Sequence, residues 1–360
     1  MTIRFFRVPA LALLSLAVAC SDAPTSPAAL QPVAAPEARA SGLTDWLRDA
    51  IGLPGAPSAA PDVLVGAGEI AECNQGDTPS LLRARAAARH SPAAATARLL
   101  DRIPGTVFTL GDNAYELGSP FDYAACYDPT WGRHRERTQP SAGNHEYLTP
   151  GAAGYFAYFG LRAAPPLGYY SYDRGGWHVV VLNSTPQVYA CRPPELPPPS
   201  SPEEGRLCAG DVDQQLWLEG DLTAHAGAEC TVAYFHHPRF SSGPHGSHFQ
   251  MQRIWDILYR HGVDLVLSAH DHLYERFAPQ DPDGALDPDF GIRQFTVGTG
   301  GGGLYSAGPR VDNSEVLIED TFGVLAVSLG RTGYEWAFVA IDRTVRDSGS
   351  GSCHGAPPVS

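Results

Sequence analysis

Short apolar runs recur along the chain, and several stop abruptly at a glycine or small residue followed by a carboxylate or an imidazole. The runs at 63–67, 106–110, 179–183, 231–235, 263–268, 293–297, 323–329 and 334–340 have the length and apolar character of buried strands. Helical patterns lie between several of them, at 79–90, 93–101, 211–225 and 251–262. In DVDQQLWLEGDLTAH, 211–225, Leu216, Trp217 and Leu222 fall at helical spacing behind Asp211, a suitable N-cap. In MQRIWDILYRHG, 251–262, Ile254, Trp255, Ile257 and Leu258 form the apolar stripe and Gly262 fits the stop. Strands alternating with helices specify an α/β fold, and the strand-rich last third predicts a second, more antiparallel sheet.

The residues that follow these runs are chemically selective. VLVGAGE delivers Glu69, TVFTLGDNAYE delivers Asp112, TVAYFHHP delivers His236 and His237, and VDLVLSAHDH delivers His270 and His272. A glycine-flanked segment, PSAGNHEY, adds Asn144 and His145. In open α/β sheets, ligands bind beyond the carboxyl ends of strands, so these clusters are expected to converge. Carboxylate, imidazole and amide oxygen together suit zinc, manganese or iron. Each cluster alone has a plainer meaning. GDN is a turn signal, HxH is common on surfaces, GNHE fits a capped loop, and Glu69 could simply accept backbone amides. The ordered set, each member placed after an apolar run, is what points to a site. Competing chemistries are weaker: FSSGPHGSH, 240–248, lacks a GxSxG elbow, and GTGGGG, 298–303, lacks the GK[ST] of a phosphate-binding loop and reads as a turn beside the site.

The order GE…GDNAY…GNHE…HHP…AHDH resembles the calcineurin-like metallophosphoesterase superfamily, and Tyr115 with the run HLYERF, 272–277, resembles its purple-acid-phosphatase-like branch. The resemblance covers roughly 61–348 and implies a four-layer metallophosphoesterase sandwich of two mixed β-sheets flanked by helices, with two metal ions (Fe, Zn or Mn) at one edge. It implies that Asp112 bridges both ions. Glu69, Tyr115 and His272 would complete the first ion's ligands, and Asn144, His236 and His270 the second's. His145 would stand just outside as proton donor or phosphate contact, and His237, Arg239, His245 and His248 are candidates for holding substrate. The implied activity is hydrolysis of phosphate esters of small molecules, by in-line attack of a metal-bound hydroxide, with monoesters favoured over diesters. The alternative is a non-catalytic exported protein that keeps the fold and binds metal or a phosphorylated ligand. Two residues depart from the family pattern. Glu69 stands where aspartate is usual, and Ala269 precedes His270 where glycine is usual; alanine restricts that turn if it needs a positive φ.

Bulk properties bound the partners and the compartment. The formal net charge of −14 argues against a nucleic-acid partner. Arg4, Arg7 and the apolar run 8–19 read as an export signal, residues 1–20, and LAVAC ending at Cys20 resembles a bacterial lipoprotein signal with a lipidation cysteine, plain signal cleavage being the alternative. Residues 21–60, rich in Ala, Pro and Ser, read as a tether, 61–348 as the catalytic domain and 349–360 as a tail. The expected location is therefore the periplasm or cell surface, with the membrane touched only through the Cys20 lipid. An even number of remaining cysteines in an exported chain predicts disulfides. Cys191 with Cys208 would close a Pro-rich surface excursion, leaving Cys73 with Cys126 and Cys230 with Cys353 by elimination.

Overall fold

The computed structural model describes residues 62–72, 80–191 and 197–358; the expected signal, Cys20 and the whole tether lie outside them. The strands are β1 Asp62–Ala67, β2 Thr106–Leu110, β3 Thr138–Ser141, β4 Tyr170–Arg174, β5 Trp177–Val181, β6 Cys230–Tyr234 and β7 Leu265–Ser268. They continue with β8 Tyr274–Phe277, β9 Arg293–Val297, β10 Ser314–Ile318, β11 Gly323–Leu329, β12 Gly333–Ala340 and β13 Val345–Ser352. One sheet has the order β13-β12-β11-β1-β2-β3 and the other β10-β8-β9-β7-β6-β5-β4. Both are mixed. β1, β2 and β3 are parallel while β1 is antiparallel to β11. β5, β6, β7 and β9 are parallel, with antiparallel neighbours at either side.

The apolar runs are continuous because the strands of the second sheet are buried on both faces. Side chains alternate along a strand. Val179 and Val181 of β5, Val232 and Tyr234 of β6, and Leu265 and Leu267 of β7 enter the core shared with β1, β2, β11 and β12. Val180, Ala233 and Val266 face the opposite way, into a second core with Leu218, Leu222, Ile254, Trp255 and Leu258. Those last residues come from helices Val212–Ala224 and Gln252–Arg260, which cover the outer face. On the other side, helix Pro92–Leu100 packs on β11. The result is helices, sheet, sheet, helices.

Local capping follows the sequence. Ser91 accepts from the Ala94 amide ahead of Pro92, and Asp211 accepts from the Gln214 amide. The stripe anticipated on the second of these helices needs correction. Leu216 is 67% exposed, Trp217 is partly buried, and the buried positions are Gln214, Gln215, Leu218 and Leu222. Gln214 goes inward because its side-chain amide serves both the N–H and the carbonyl of Asn183, at 2.8 and 2.9 Å. That contact fixes the chain as it leaves β5. The expected tail also begins later than residue 349, since β13 runs to Ser352 and the His354 amide donates to buried Asp264 at 2.7 Å.

Cys191–Cys208 and Cys230–Cys353 are paired, with Cα separations of 5.3 and 5.4 Å. Cys73, expected to pair with Cys126, lies outside the described residues. The two bridges close segments of 17 and 123 residues. By chain entropy, replacing Cys230 and Cys353 with serine should cost about 4–5 kcal/mol, and the same change at Cys191 and Cys208 about 3 kcal/mol. Denaturant unfolding of the two double variants checks the ranking; a reversed order would contradict it.

Candidate metal centre

Three chain segments leave buried strands and turn sharply at a candidate ligand. Glu69 after β1, Asp112 after β2 and His270 after β7 have φ values of 56°, 48° and 68°. Non-glycine residues adopt this left-handed conformation at a cost of about 1–3 kcal/mol each, and such sites cluster where function fixes the backbone. Here the turns are zipped to one another. The amides of Glu69, Ile70 and Ala71 donate to the carbonyls of Gly111, Asp112 and Asn113, at 3.3, 3.0 and 3.1 Å. The expectation that Ala269 restricts its turn is not met, because the left-handed residue is His270. Instead the Ala269 methyl occupies space that a side chain at Gly68 would need; a Cβ there would come within 2.5 Å of it.

The side chains carried by these turns meet. Glu69 is fully buried and Asp112 nearly so. One Glu69 oxygen accepts from the His270 amide at 2.7 Å, and the other is bonded by the Tyr115 hydroxyl and lies 3.1 Å from His272 Nε2. Asp112 Oδ2 is 3.4 Å from both the Tyr115 hydroxyl and His236 Nε2. Asn144 Oδ1 is 2.8 Å from His236 Nε2, and His270 Nδ1 is 3.1 Å from the same nitrogen. All seven residues named from the sequence as metal ligands thus surround one small volume.

Hydrogen bonds at the back of the site aim the imidazoles inward. His236 Nδ1 donates to the Leu110 carbonyl at 2.8 Å, and His272 Nδ1 donates to the Gly303 carbonyl. In its neutral form each therefore directs an Nε2 lone pair to the centre, as metal-ligating histidines do. Burial works against ionising Asp112, but the facing His236 holds its carboxyl down, to about 2. Burial likewise opposes a charged His236, but Asp112 and then Glu69 hold it up, to about 9. The Tyr115 phenol is pushed well above its ordinary value by burial and by the Glu69 carboxylate, so it donates its proton to Glu69. A crowd of oxygen and nitrogen acceptors around two carboxylates fits a pair of cations.

His145 occupies the mouth. Its Nδ1 donates to the Glu116 carbonyl at 2.6 Å, and its Nε2 lies 3.9 Å from Asp112 Oδ2. His245, 41% exposed, bonds Asp271 at 2.9 Å, and its ring lies 4.2 Å from that of His270. His248 and His237 stand behind this pair. Burial disfavours a proton on either ring, pushing His248 down, to about 4, and His237 well below its usual range. His237 is 2% exposed and bonds Ser184, so it supports His270 and not an arriving substrate. Arg239 is a second correction. It is 1% exposed, donates to Gln252 at 2.7 Å and lies between the rings of Phe240 and Phe249, a packing position.

Two carboxylates of these motifs were given no role from the sequence. Glu146, in GNHE, is fully buried and accepts from the amides of Gly143, Asp112 and Asn113, at 2.7, 2.9 and 2.8 Å, and from the Tyr123 hydroxyl at 3.1 Å. It ties the Asp112 turn to the Asn144 turn. Asp271, in HDH, accepts from Ser241 and twice from His245, fixing the rim. Their signal was present, since both are acids inside ligand motifs. Nothing in the spacing says that they point away from the centre. Tyr305, on the glycine-rich loop after β9, stacks on His272 with ring centroids 3.9 Å apart.

Comparison with known proteins agrees with this geometry. The profile of the calcineurin-like phosphoesterase family matches residues 76–274. The chain belongs to that family. The matched segment starts after Glu69, which the structure nonetheless places in the centre. Among characterised relatives, purple acid phosphatase 23 of Arabidopsis thaliana is 31% identical over 199 residues, 48% of this chain and 37% of that protein. Purple acid phosphatase 13 of the same plant is 30% identical over 212 residues, 52% of this chain and 35% of that one. The chain thus spans about a third of the length of these relatives. In three dimensions it is similar to the purple acid phosphatase PPD1 from yellow lupin seeds, with a TM-score of 0.57 at 17% identity, covering 85% of this chain and 58% of that one. It is also similar to GAP50, the anchor in the inner membrane complex of Plasmodium, with a TM-score of 0.55 at 13% identity over 83% of this chain and 90% of that one.

Replacing Glu146 by glutamine would turn an amide donor toward backbone donors. Hydrogen bonds to a charged group contribute about 1.5–3 kcal/mol each, so Glu146→Gln should lower stability by about 2–4 kcal/mol. Tyr123→Phe, which leaves the amide bonds intact, should cost less than half of that. Chemical denaturation measures both; equal losses would remove Glu146 from this role.

Proposed function

We propose that this protein is an exported phosphoesterase that hydrolyses phosphate esters of small molecules, monoesters in preference to diesters, with two metal ions drawn from Fe, Zn and Mn. The reading is carried by one observation: Glu69, Asp112, Tyr115, Asn144, His236, His270 and His272 come from loops far apart in sequence, yet direct donor atoms into one buried volume. Glu69, Asp112, Tyr115 and His272 would hold one ion, and Asp112, Asn144, His236 and His270 the other. Such a pair, when bound, supplies charge neutralisation of a phosphoryl group and a lowered pKa of water. The preference for monoesters is supported by the relatives, which are named acid phosphatases.

The remaining residues have separate tasks. His145 is oriented by the Glu116 carbonyl, which leaves Nε2 facing the mouth to deliver a proton to the leaving oxygen. His245, backed by Asp271, is the most exposed imidazole of the rim and the first to meet an arriving ester. A histidine suits proton delivery because its ordinary pKa lies near neutrality. Displacement at phosphorus is then a single in-line step, predicting inversion at a chiral phosphorus. The longer Glu69 side chain needs no rearrangement to serve, because its carboxylate already lies between His272, Tyr115 and the His270 amide.

Export and lipid anchoring rest on the N-terminal sequence with Cys20. Support comes from the two disulfides, which persist in oxidising compartments. Among the described residues no helix is long and apolar enough to cross a membrane.

A non-catalytic binding protein is the competing reading. The fold is shared with GAP50, described as an anchor, and Glu69 replaces the usual aspartate. Turnover of p-nitrophenyl phosphate by chelated protein, with Mn, Zn or Fe added back, separates the two. Restored turnover is expected, and none with any metal would favour binding. Within the enzyme reading, His145→Ala should lower kcat by about 10²-fold or more for an alkyl phosphate. The loss should be much smaller for p-nitrophenyl phosphate, whose leaving group needs no proton; equal losses would remove His145 as the acid. Glu69→Ala should lower bound metal and turnover together, by elemental analysis and assay. Retention of both would place Glu69 outside the ligand set.

A further inference from the structure

A second group of donors lies at the far end of β5. The centre described above is built beyond the carboxyl ends of β6 and β7, which run parallel to β5. His178 is near the start of β5, directly across from Asp173 on the edge strand β4. His178 is 1% exposed, and its two ring nitrogens face two carboxylates: Nδ1 lies 2.9 Å from Asp173 Oδ1, and Nε2 lies 2.8 Å from Asp221 Oδ2. Asp221 comes from helix Val212–Ala224, and its other oxygen accepts from the Ser171 hydroxyl at 2.8 Å. His225 caps the same helix. Its Nδ1 donates to the Asp221 carbonyl at 2.8 Å, and its ring stacks on that of His178 at 3.8 Å.

This pattern has the parts of a cation site. With Nε2–H donating to Asp221, His178 presents the Nδ1 lone pair to Asp173, so two acceptors face each other and require a proton or a cation between them. An imidazole backed by a carboxylate through its other nitrogen is the arrangement that orients histidines on metals. His225 supplies a third donor: one ligand atom from each of Asp173, His178 and His225 lies within 4.8 Å of the others. A cavity of about 320 Å³ opens beside them, lined by Asp173, His178 and His225, with room for water ligands. A proton on Nδ1 would answer the Asp173 contact alone, whereas a cation would also draw in the third donor, His225.

We infer that Asp173, His178 and His225 bind a divalent ion of borderline softness, zinc being the best match to two imidazoles and a carboxylate. On binding, the Nδ1 position of His178 carries the ion, and the His225 ring turns out of its stack to bring Nε2 into the coordination sphere. The ion clips the edge strand β4 and β5 to the end of helix Val212–Ala224. This site is independent of the phosphoesterase reading, since it shares no residue with the phosphoesterase centre.

Equilibrium dialysis of the full chain against buffered free zinc, followed by elemental analysis, tests it. The double variant D173N/H225Q leaves every residue of the phosphoesterase centre in place. The wild type should hold one zinc equivalent more than this variant at the same free zinc. The single variant Asp173→Asn, close in size and shape, guards against misfolding. With an unchanged far-UV spectrum it should need at least about tenfold more free zinc to fill the extra equivalent. Equal zinc content in wild type and double variant would overturn the inference and leave His178 as an imidazolium shared by two carboxylates.

Discussion

Two carboxylates buried side by side set the terms for the rest of the molecule. Glu69 and Asp112 are withdrawn from water, and among the described residues the only ion-pair partners found for them are histidines. Burying such charge without compensation costs many kcal/mol. The surrounding imidazoles compensate only by taking up protons, as the elevated His236 shows. The same imidazoles are tethered through their far nitrogens to backbone carbonyls, which favours lone pairs directed inward. Cations resolve the conflict; a solvated or apolar filling does not.

The fold supplies what this centre needs, which is rigidity at strand ends. Loops from both sheets have to meet edge to edge, and each sheet places its parallel strands so that their carboxyl ends face the same side. Backbone strain at Glu69, Asp112 and His270 is held by hydrogen bonds between neighbouring turns and by Glu146, which gathers three amides from two loops. Buried aromatic side chains stand behind that anchor, Tyr123 bonding Glu146 directly. Precision at the centre is therefore a property of the core as much as of the ligands.

Interior strands were legible in the sequence and edge strands were not. β2, β9 and β11 match the apolar runs residue for residue, because strands with two covered faces leave a continuous apolar signal. Of the strands without such a signal, β3, β4, β10 and β13 are sheet edges, where TQPS and RDSGSG show how polar an edge can be. β8 lies inside its sheet but is only YERF, with its charges bound by Ser314 of β10 and Asp347 of β13. The convergence of the candidate ligands was legible because order and spacing survive in the chain. Arg239 and Leu216 were misread for one reason: a polar residue near a site looks functional, and an apolar residue on a helix looks buried, until neighbours are known. Gln214 shows the converse, a polar side chain drawn inside by two backbone partners.

Both departures from the family pattern are accommodated locally. Ala269 is matched by Gly68 across the turn, and Glu69 reaches the centre despite its extra methylene. The account stands or falls on whether two ions occupy the volume between these loops. An anomalous difference map from crystals of the natively purified protein, recorded at the absorption edge of the metal it contains, is the most direct measurement. It should show two peaks about 3.5–4 Å apart, with Asp112 between them, Glu69 and His272 beside one, and Asn144, His236 and His270 beside the other. No density there, or a single peak remote from Asp112, would contradict it.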